Sequence, residues 1–288
     1  MPSDLRPIHA GNLEDLLHVI RGSSHGHIFQ LDLDIFGFLA LSRFWNFSYQ
    51  HSFLNYVSGR PAGALLNCAD PEEHQAYTFY WGVLPEFRRG RVAMSLIHAF
   101  KLLRDQGYLT IEADETVESP STIYKKLGYL PTQSFAELQT GKIDIASVND
   151  QIELHEIDVD RLLADWPLFP GFRHWAQRPN FMRNSVKFVE FLAAFTNETM
   201  SGYIVVTRLS GHSVISDLRF QNREAGLALL RRISGADFPP PYSASFVPVP
   251  SSAYQLLIDV GFVSVKRFTS VTLEFSSSSS QFLRRSTT

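Results

Sequence analysis

The chain changes its hydrophobic period within one short stretch, residues 77–100, and that change limits what it can fold into. Residues 77–84 are a continuous aromatic and β-branched run of strand type, while from Ala93 onward apolar residues recur at helical spacing, with Pro85 between. The stretch therefore reads as strand, short turn, helix. Its turn carries Arg88, Arg89, Gly90 and Arg91. A basic, partly glycine loop thus opens onto a helix N-terminus, where unpaired N–H groups and the positive dipole end suit an anion, most often a phosphate. A solvated basic turn is the plainer alternative, although arginines there oppose the dipole.

The same signals continue on both sides. Residues 5–8 read as a strand, 12–20 as an amphipathic helix capped by Asn12, and the apolar run 27–47 as one further helix. Two strands, 52–57 and 62–68, flank Ser58-Gly59-Arg60-Pro61, a hairpin turn. Beyond the central helix come a buried strand at 109–113, a polar loop at 114–120, a short helix at 121–127 closed by Gly128, and a strand at 129–138. Residues 139–151 lose apolar periodicity and read as a linker. Strands are then expected at 152–157, 203–208, 213–218 and 242–247, helices at 160–166, 223–233 and 253–260, and one or two strands at 263–275; 188–195 fits either type. The serine-rich tail, 276–288, has no core to join and is expected to be disordered.

Composition limits the function classes. The 288 residues, 44% of them hydrophobic and 13% aromatic, hold enough apolar mass for two domains. A net charge of −3 gives no basic footprint, so nucleic acid is set aside as a partner. The single cysteine, Cys68, excludes an intrachain disulfide and a thiolate zinc cage, and fits a reducing compartment; at a strand end it reads as a core residue rather than a nucleophile. His25 and His27 lack further ligands, so no metal is expected. No signal-peptide pattern and no uncharged run near the ~20 residues of a membrane span occur, which implies a cytoplasmic protein without a membrane partner.

Two elements carry a family resemblance. The run Arg88-Arg89-Gly90-Arg91-Val92-Ala93, after an apolar strand, lies on the pattern R/Q-x-x-G-x-G/A that opens a helix in the GNAT superfamily of acyl-CoA-dependent N-acyltransferases. Residues 123–129, Ile-Tyr-Lys-Lys-Leu-Gly-Tyr, are similar to that family's short helix with a tyrosine four residues before a Gly-aromatic pair. One departure stands out: Arg91 occupies the position of the first glycine, where backbone must approach a pyrophosphate closely. Arg91 either turns outward, binds phosphate as a cation, or weakens cofactor binding.

The second half carries a fainter copy. Arg223-Glu224-Ala225-Gly226-Leu227-Ala228 fits R-x-x-G-x-A, and Gly261-Phe262 parallels Gly128-Tyr129; 40 residues separate Arg88 from Gly128, and 38 separate Arg223 from Gly261. Leu257 stands where Tyr124 stands in the first half, and the proline turn is missing. Gly226 alone would read as a small residue inside a helix. The resemblance implies an α+β protein of two tandem GNAT-like domains, each a mixed, mostly antiparallel sheet flanked by helices. Residues 1–140 would form the catalytic acyl-CoA-binding domain and 151–275 a degenerate one.

What the resemblance implies for chemistry follows the same residues. Arg88, Arg89, Gly90, Arg91, Val92 and Ala93 would seat the diphosphate of acetyl-CoA or another acyl-CoA, the co-substrate, with no metal. Backbone groups of Trp81 and Val83 would orient the pantetheine like an added strand. Tyr124 would protonate the leaving thiolate, unless it only packs its helix on the sheet. No carboxylate lies within residues 77–84, so Asp114 or Glu115, with Glu72 and Glu73 or a water relay as alternatives, would take the proton of the acceptor, a small-molecule primary amine. A non-catalytic acyl-CoA-binding module and a protein N-terminal or lysine acetyltransferase are the rival functions, and the assembly is left open, a homodimer included.

Overall fold

The computed structural model describes residues 3–23, 34–88, 92, 97–116, 122–147, 151–209 and 211–275. The chain forms two compact units, one of Met1–Thr132 with Ser270–Thr288 and the other of Gln133–Thr269. It passes from the first to the second at Thr132 and returns at Ser270. No helix among the described residues is long and apolar enough to cross a membrane.

In the first unit the sheet runs β1 (Ser3–Pro7), β2 (Phe53–Val57), β3 (Arg60–Asp70), β4 (Gln75–Val83), β5 (Thr110–Thr116), and then the end of β12 (Val263–Glu274). The first four strands pair antiparallel and β4 with β5 parallel. Ser58 and Gly59, with φ of 51° and 78°, make the two-residue turn between β2 and β3 whose twist matches the strands it joins. Helix α1 (Leu13–Ser23) buries Leu13, Leu16, Leu17 and Ile20, the stripe that helical spacing predicts. Asn12 does not cap it directly: it accepts from His9 N at 2.9 Å and closes a box around the short turn before the helix. Gly22 lies within the helix, where an added Cβ would fall 2.4 Å from Leu84 Cδ2. Helix α2 (Ile35–Trp45) is shorter than the segment expected at 27–47. Helix α3 (His98–Asp105) turns Ala99, Phe100 and Leu103 into a core shared with Ile111, Ala113, Val271 and Leu273.

Strand β5 extends through Thr116, past the predicted loop start at 114, so Asp114 and Glu115 stand on a strand. Helix α4 (Thr122–Leu127) follows, closed by Gly128 at φ 88°. β6 (Leu130–Thr140) leaves the first unit after Thr132, and its remainder pairs antiparallel with β11 (Tyr242–Val249) in the second.

The second unit repeats the pattern. Its strands run β6, β11, β10 (His212–Phe220), β9 (Thr199–Leu209), β8 (Glu190–Thr196), β7 (Glu153–Glu156), with β10 and β11 parallel. The segment 188–195 resolves as strand because Phe191, Leu192, Ala193 and Ala194 are all buried, the signature of a strand covered on both faces. Helices α5 (Val159–Ala164) and α6 (Pro179–Ser185) flank residues 165–178, which include Trp166, Pro167, Phe169, Pro170, Phe172 and Trp175. α7 (Arg223–Ile233) and α8 (Ser252–Asp259) close the core around Leu229, Leu230, Leu256 and Phe262. The expected tail, 276–288, lies outside the described residues.

Candidate functional site

A bulge sets the geometry of the first unit. Against β3, Tyr80 faces Leu66 and Thr78 faces Asn67, so Phe79 is an extra residue on β4. Its ring packs 4.8 Å from both Trp45 and Phe47. A bulge bends and twists its own strand, and here the bend coincides with the end of pairing on the other edge. β4 and β5 are registered from Gln75 with Thr110 to Thr78 with Ala113. β4 then runs on to Val83 and β5 to Thr116 with no mutual pairing among the described residues. The two parallel strands part, and a wedge opens between Phe79–Val83 and Asp114–Thr116.

Tyr124 lies beside both arms of this wedge. Its ring is 5.9 Å from that of Trp81 on β4 and 5.0 Å from that of Tyr129. The side chain is 9% exposed, and burial, followed by the charges of Asp114 and then Glu115 on β5, pushes its hydroxyl well above the ordinary tyrosine range. The phenol therefore keeps its proton throughout the neutral range. Trp81 is half-buried and also meets Phe100 edge-on at 5.5 Å.

Asp114 is half-buried and held on both oxygens. Oδ2 accepts from the Tyr77 hydroxyl at 2.7 Å and Oδ1 from Ser270 Oγ at 2.5 Å. Tyr77 is fully buried, and burial together with the Asp114 charge drives its hydroxyl far up as well. Glu72 and Glu73 are elsewhere: their N–H groups donate to Asp70 Oδ1 in the β3–β4 turn, at the end of β4 remote from the wedge.

Of the expected diphosphate seat, Arg88 and Val92 are described and Arg89, Gly90, Arg91 and Ala93 lie outside the described residues, as do His25 and His27. Arg88 is exposed and its Nε donates to the Val83 carbonyl at 3.2 Å, so that carbonyl already has a partner. Val92 is 2% exposed and belongs to the unit's core. Cys68 is a fully buried core residue, and burial raises its thiol well above the usual range. Among the described residues no group of three His, Cys, Asp or Glu could hold a metal ion.

Tyr77 and Ser270 escaped the sequence reading. Tyr77 sits within an aromatic run where nothing sets it apart from a core residue, and Ser270 stands 156 residues from the carboxylate it touches.

The second unit builds the same wedge with other occupants. Ser216 is the bulged residue of β10, and the parallel pairing with β11 ends at Ile215 and Ala244. Counted from the bulges, Phe220 corresponds to Val83. Between the parted strands lies the Gln177 amide. Its Nε2 donates to Ser216 O at 2.9 Å and Phe246 O at 3.2 Å, and its Oε1 accepts from His174 N at 3.2 Å. At the helix start, Asn222 Oδ1 accepts from Ala225 N at 2.9 Å. Gly226 serves packing, since a Cβ there would meet Leu256 Cδ2 at 2.5 Å and Phe220 Cδ1 at 2.8 Å. Arg223 pairs with Asp259 at 2.7 Å, and Leu257 is fully buried.

No family model matches the chain, and neither does any curated protein. Solved structures do match. A tandem GNAT protein from the clavulanic acid biosynthesis pathway is similar at 13% identity, with a TM-score of 0.66 over 95% of this chain and 98% of its own. A putative acetyltransferase from Pyrococcus horikoshii gives 13% identity and 0.68 over 95% and 90%. A GCN5-related N-acetyltransferase from Sphaerobacter thermophilus gives 12% and 0.65 over 94% and 95%. The chain therefore has the tandem GNAT fold, α+β with mixed sheets flanked by helices.

Proposed function

We propose that the first unit transfers an acyl group, acetyl in the simplest case, from acyl-CoA to a primary amine of a small molecule, and that the second unit is a degenerate copy. The fold supports acyl transfer in general. The observation that carries the finer reading is Tyr124, buried yet beside both arms of the parted strands and strongly protonated.

The residues fit the substrate in two respects. Among the described residues the β4–β5 register ends at Thr78 with Ala113, and an extended pantetheine arm would lie along β4 around Trp81 rather than at the Val83 carbonyl that Arg88 already engages. Asp114 and Glu115, half-buried at the open side, favour an approaching ammonium. Transfer is direct: the ammonium first sheds one proton to solvent, and the neutral amine nitrogen then bonds to the acyl carbon as the carbon–sulfur bond breaks. Its second proton passes to Asp114 or Glu115, Tyr124 gives its proton to the thiolate, and the proton on the carboxyl group returns through solvent to Tyr124. No enzyme nucleophile is needed, in keeping with an inert Cys68. Val92 is packed in the core, and Arg88 through Ala93 would hold the diphosphate.

Calorimetric titration with acetyl-CoA, CoA and longer acyl-CoAs tests the donor before any acceptor is guessed. One site per chain is expected, followed by thiol release with members of an amine panel. No binding of any thioester or of CoA would overturn the reading. Binding without turnover by any amine would leave a CoA-binding module in its place.

A further inference from the structure

We infer that Ser270, delivered by the last strand of the chain, is a positioning residue that holds Asp114 as an ionised, oriented proton acceptor in the first unit. The inference rests on the reading of Asp114 as the group that takes the amine's proton, and adds the device that aims it.

The geometry is local to the first unit. Among the described residues the β4–β5 register ends at Thr78 with Ala113, one residue before Asp114. On the other side the end of β12 runs beside β5 in the opposite sense, with Phe275 N donating to Leu109 O at 2.8 Å and Ser270 placed at Asp114. Ser270 is itself fixed: it is 2% exposed, and its carbonyl accepts from Thr132 Oγ1 at 2.9 Å. Its hydroxyl donates to Oδ1, while Tyr77, 1% exposed, donates to Oδ2. Two buried, neutral donors from two different strands thus fix the carboxylate plane. Donors to the charged form also favour that form. The ionisable groups around Asp114 are Tyr77 on β4, Tyr124 on α4, and Glu112 and Glu115 along β5; β12 brings the uncharged Ser270. A hydroxyl that only tied two strands together would leave the carboxylate's titration unchanged, and that difference is measurable.

The test follows the side-chain carboxyl carbon of Asp114 by NMR with labelled aspartate, assigned as the signal missing in Asp114→Asn, in wild type, Ser270→Ala and Ser270→Cys. Losing one donor to the charged form is expected to raise the titration midpoint by about one pH unit in Ser270→Ala, with Ser270→Cys, a near-isosteric weaker donor, in between. The acid limb of kcat/KM is expected to move up in the same order, since the acceptor works deprotonated. Equal midpoints in wild type and either folded variant would overturn the inference. Should wild type turn over no amine, the acyl-transfer reading fails while the NMR order still decides whether Ser270 governs Asp114; should Ser270→Ala not fold, Ser270→Cys alone decides it.

Discussion

The two units open the same wedge at the same kind of bulge, and what fills it separates them. In the first, Tyr124 and two half-buried carboxylates border parted strands whose facing edges are not joined to each other. In the second, the Gln177 amide spans the gap with three hydrogen bonds, Asn222 satisfies the helix start, and Leu257 fills the tyrosine's place with hydrocarbon. A fold that parts two parallel strands leaves backbone groups to satisfy, and there are two solutions: an incoming ligand or an internal side chain. The contrast teaches that one backbone geometry can be kept in two units while different side chains occupy it, in the second unit an internal amide that takes up the hydrogen bonds. A hollow of only about 10 Å³ lies beside Gln177, lined by Asp217, Leu218 and Leu257 among others. Asp217 there is spoken for by Tyr203 at 2.7 Å and Arg219 at 3.0 Å.

Four measurements would break or sharpen this contrast. The largest effect is expected from Tyr124→Phe, which keeps the packing and removes the proton: turnover should fall about 10²–10⁴-fold with CoA binding by calorimetry unchanged. Turnover within twofold of wild type would reduce Tyr124 to the same status as Leu257. Next, Leu257→Ala should cost ~2–5 kcal/mol in denaturant titration, as a fully buried leucine does, yet leave turnover per folded molecule intact. A loss of CoA binding in that variant would mean the second unit is not degenerate. Gln177→Met keeps the volume but removes the donor to the carbonyls of Ser216 and Phe246, so a cost of ~1–3 kcal/mol is expected in the same assay. No change would show that Gln177 does not close the wedge.

The smallest effect at neutral pH appears in alkali. Tyr80 is pushed up to about 12, chiefly by burial, and Tyr77, Tyr124 and Tyr129 rise further for the same first reason, all in the first unit; Tyr203 is the strongly raised tyrosine of the second. A raised pKa means the folded state keeps protons that the unfolded chain has shed, so this stability is complete below pH 10 and is lost as pH climbs through the folded values. Absorbance at the phenolate band, followed with circular dichroism, should show these tyrosines ionising together with unfolding, and hydrogen exchange should open the first unit before the second. Ionisation without unfolding, or the second unit opening first, would sever the link.

Much of the architecture was legible because it rests on local signals. Helix 223–233 follows its own periodicity, and the Gly128 and Gly261 stops, at φ 88° and 101°, are positions an L side chain rarely adopts. The doubled spacing of two motifs pointed to the repeat. Site residues were harder. Asp114 and Glu115 read as loop because polar residues ended the apolar run, whereas the strand continues for reasons of pairing with β12 that only tertiary structure reveals. The hold of Ser270 on Asp114 and of Gln177 on Ser216 crosses long sequence separations and carries no periodicity at all.

The route of the chain has a consequence for synthesis. The strand bearing Ser270 belongs to the first unit but is translated after every residue of the second. During elongation the β12 residues that flank β5 become available only after the residues of the second unit have been made. Cutting the gene at the midpoint of the repeat would leave the amino-terminal fragment without its closing strand, whereas joining residues 270–275 to Thr132 through a short linker would supply it.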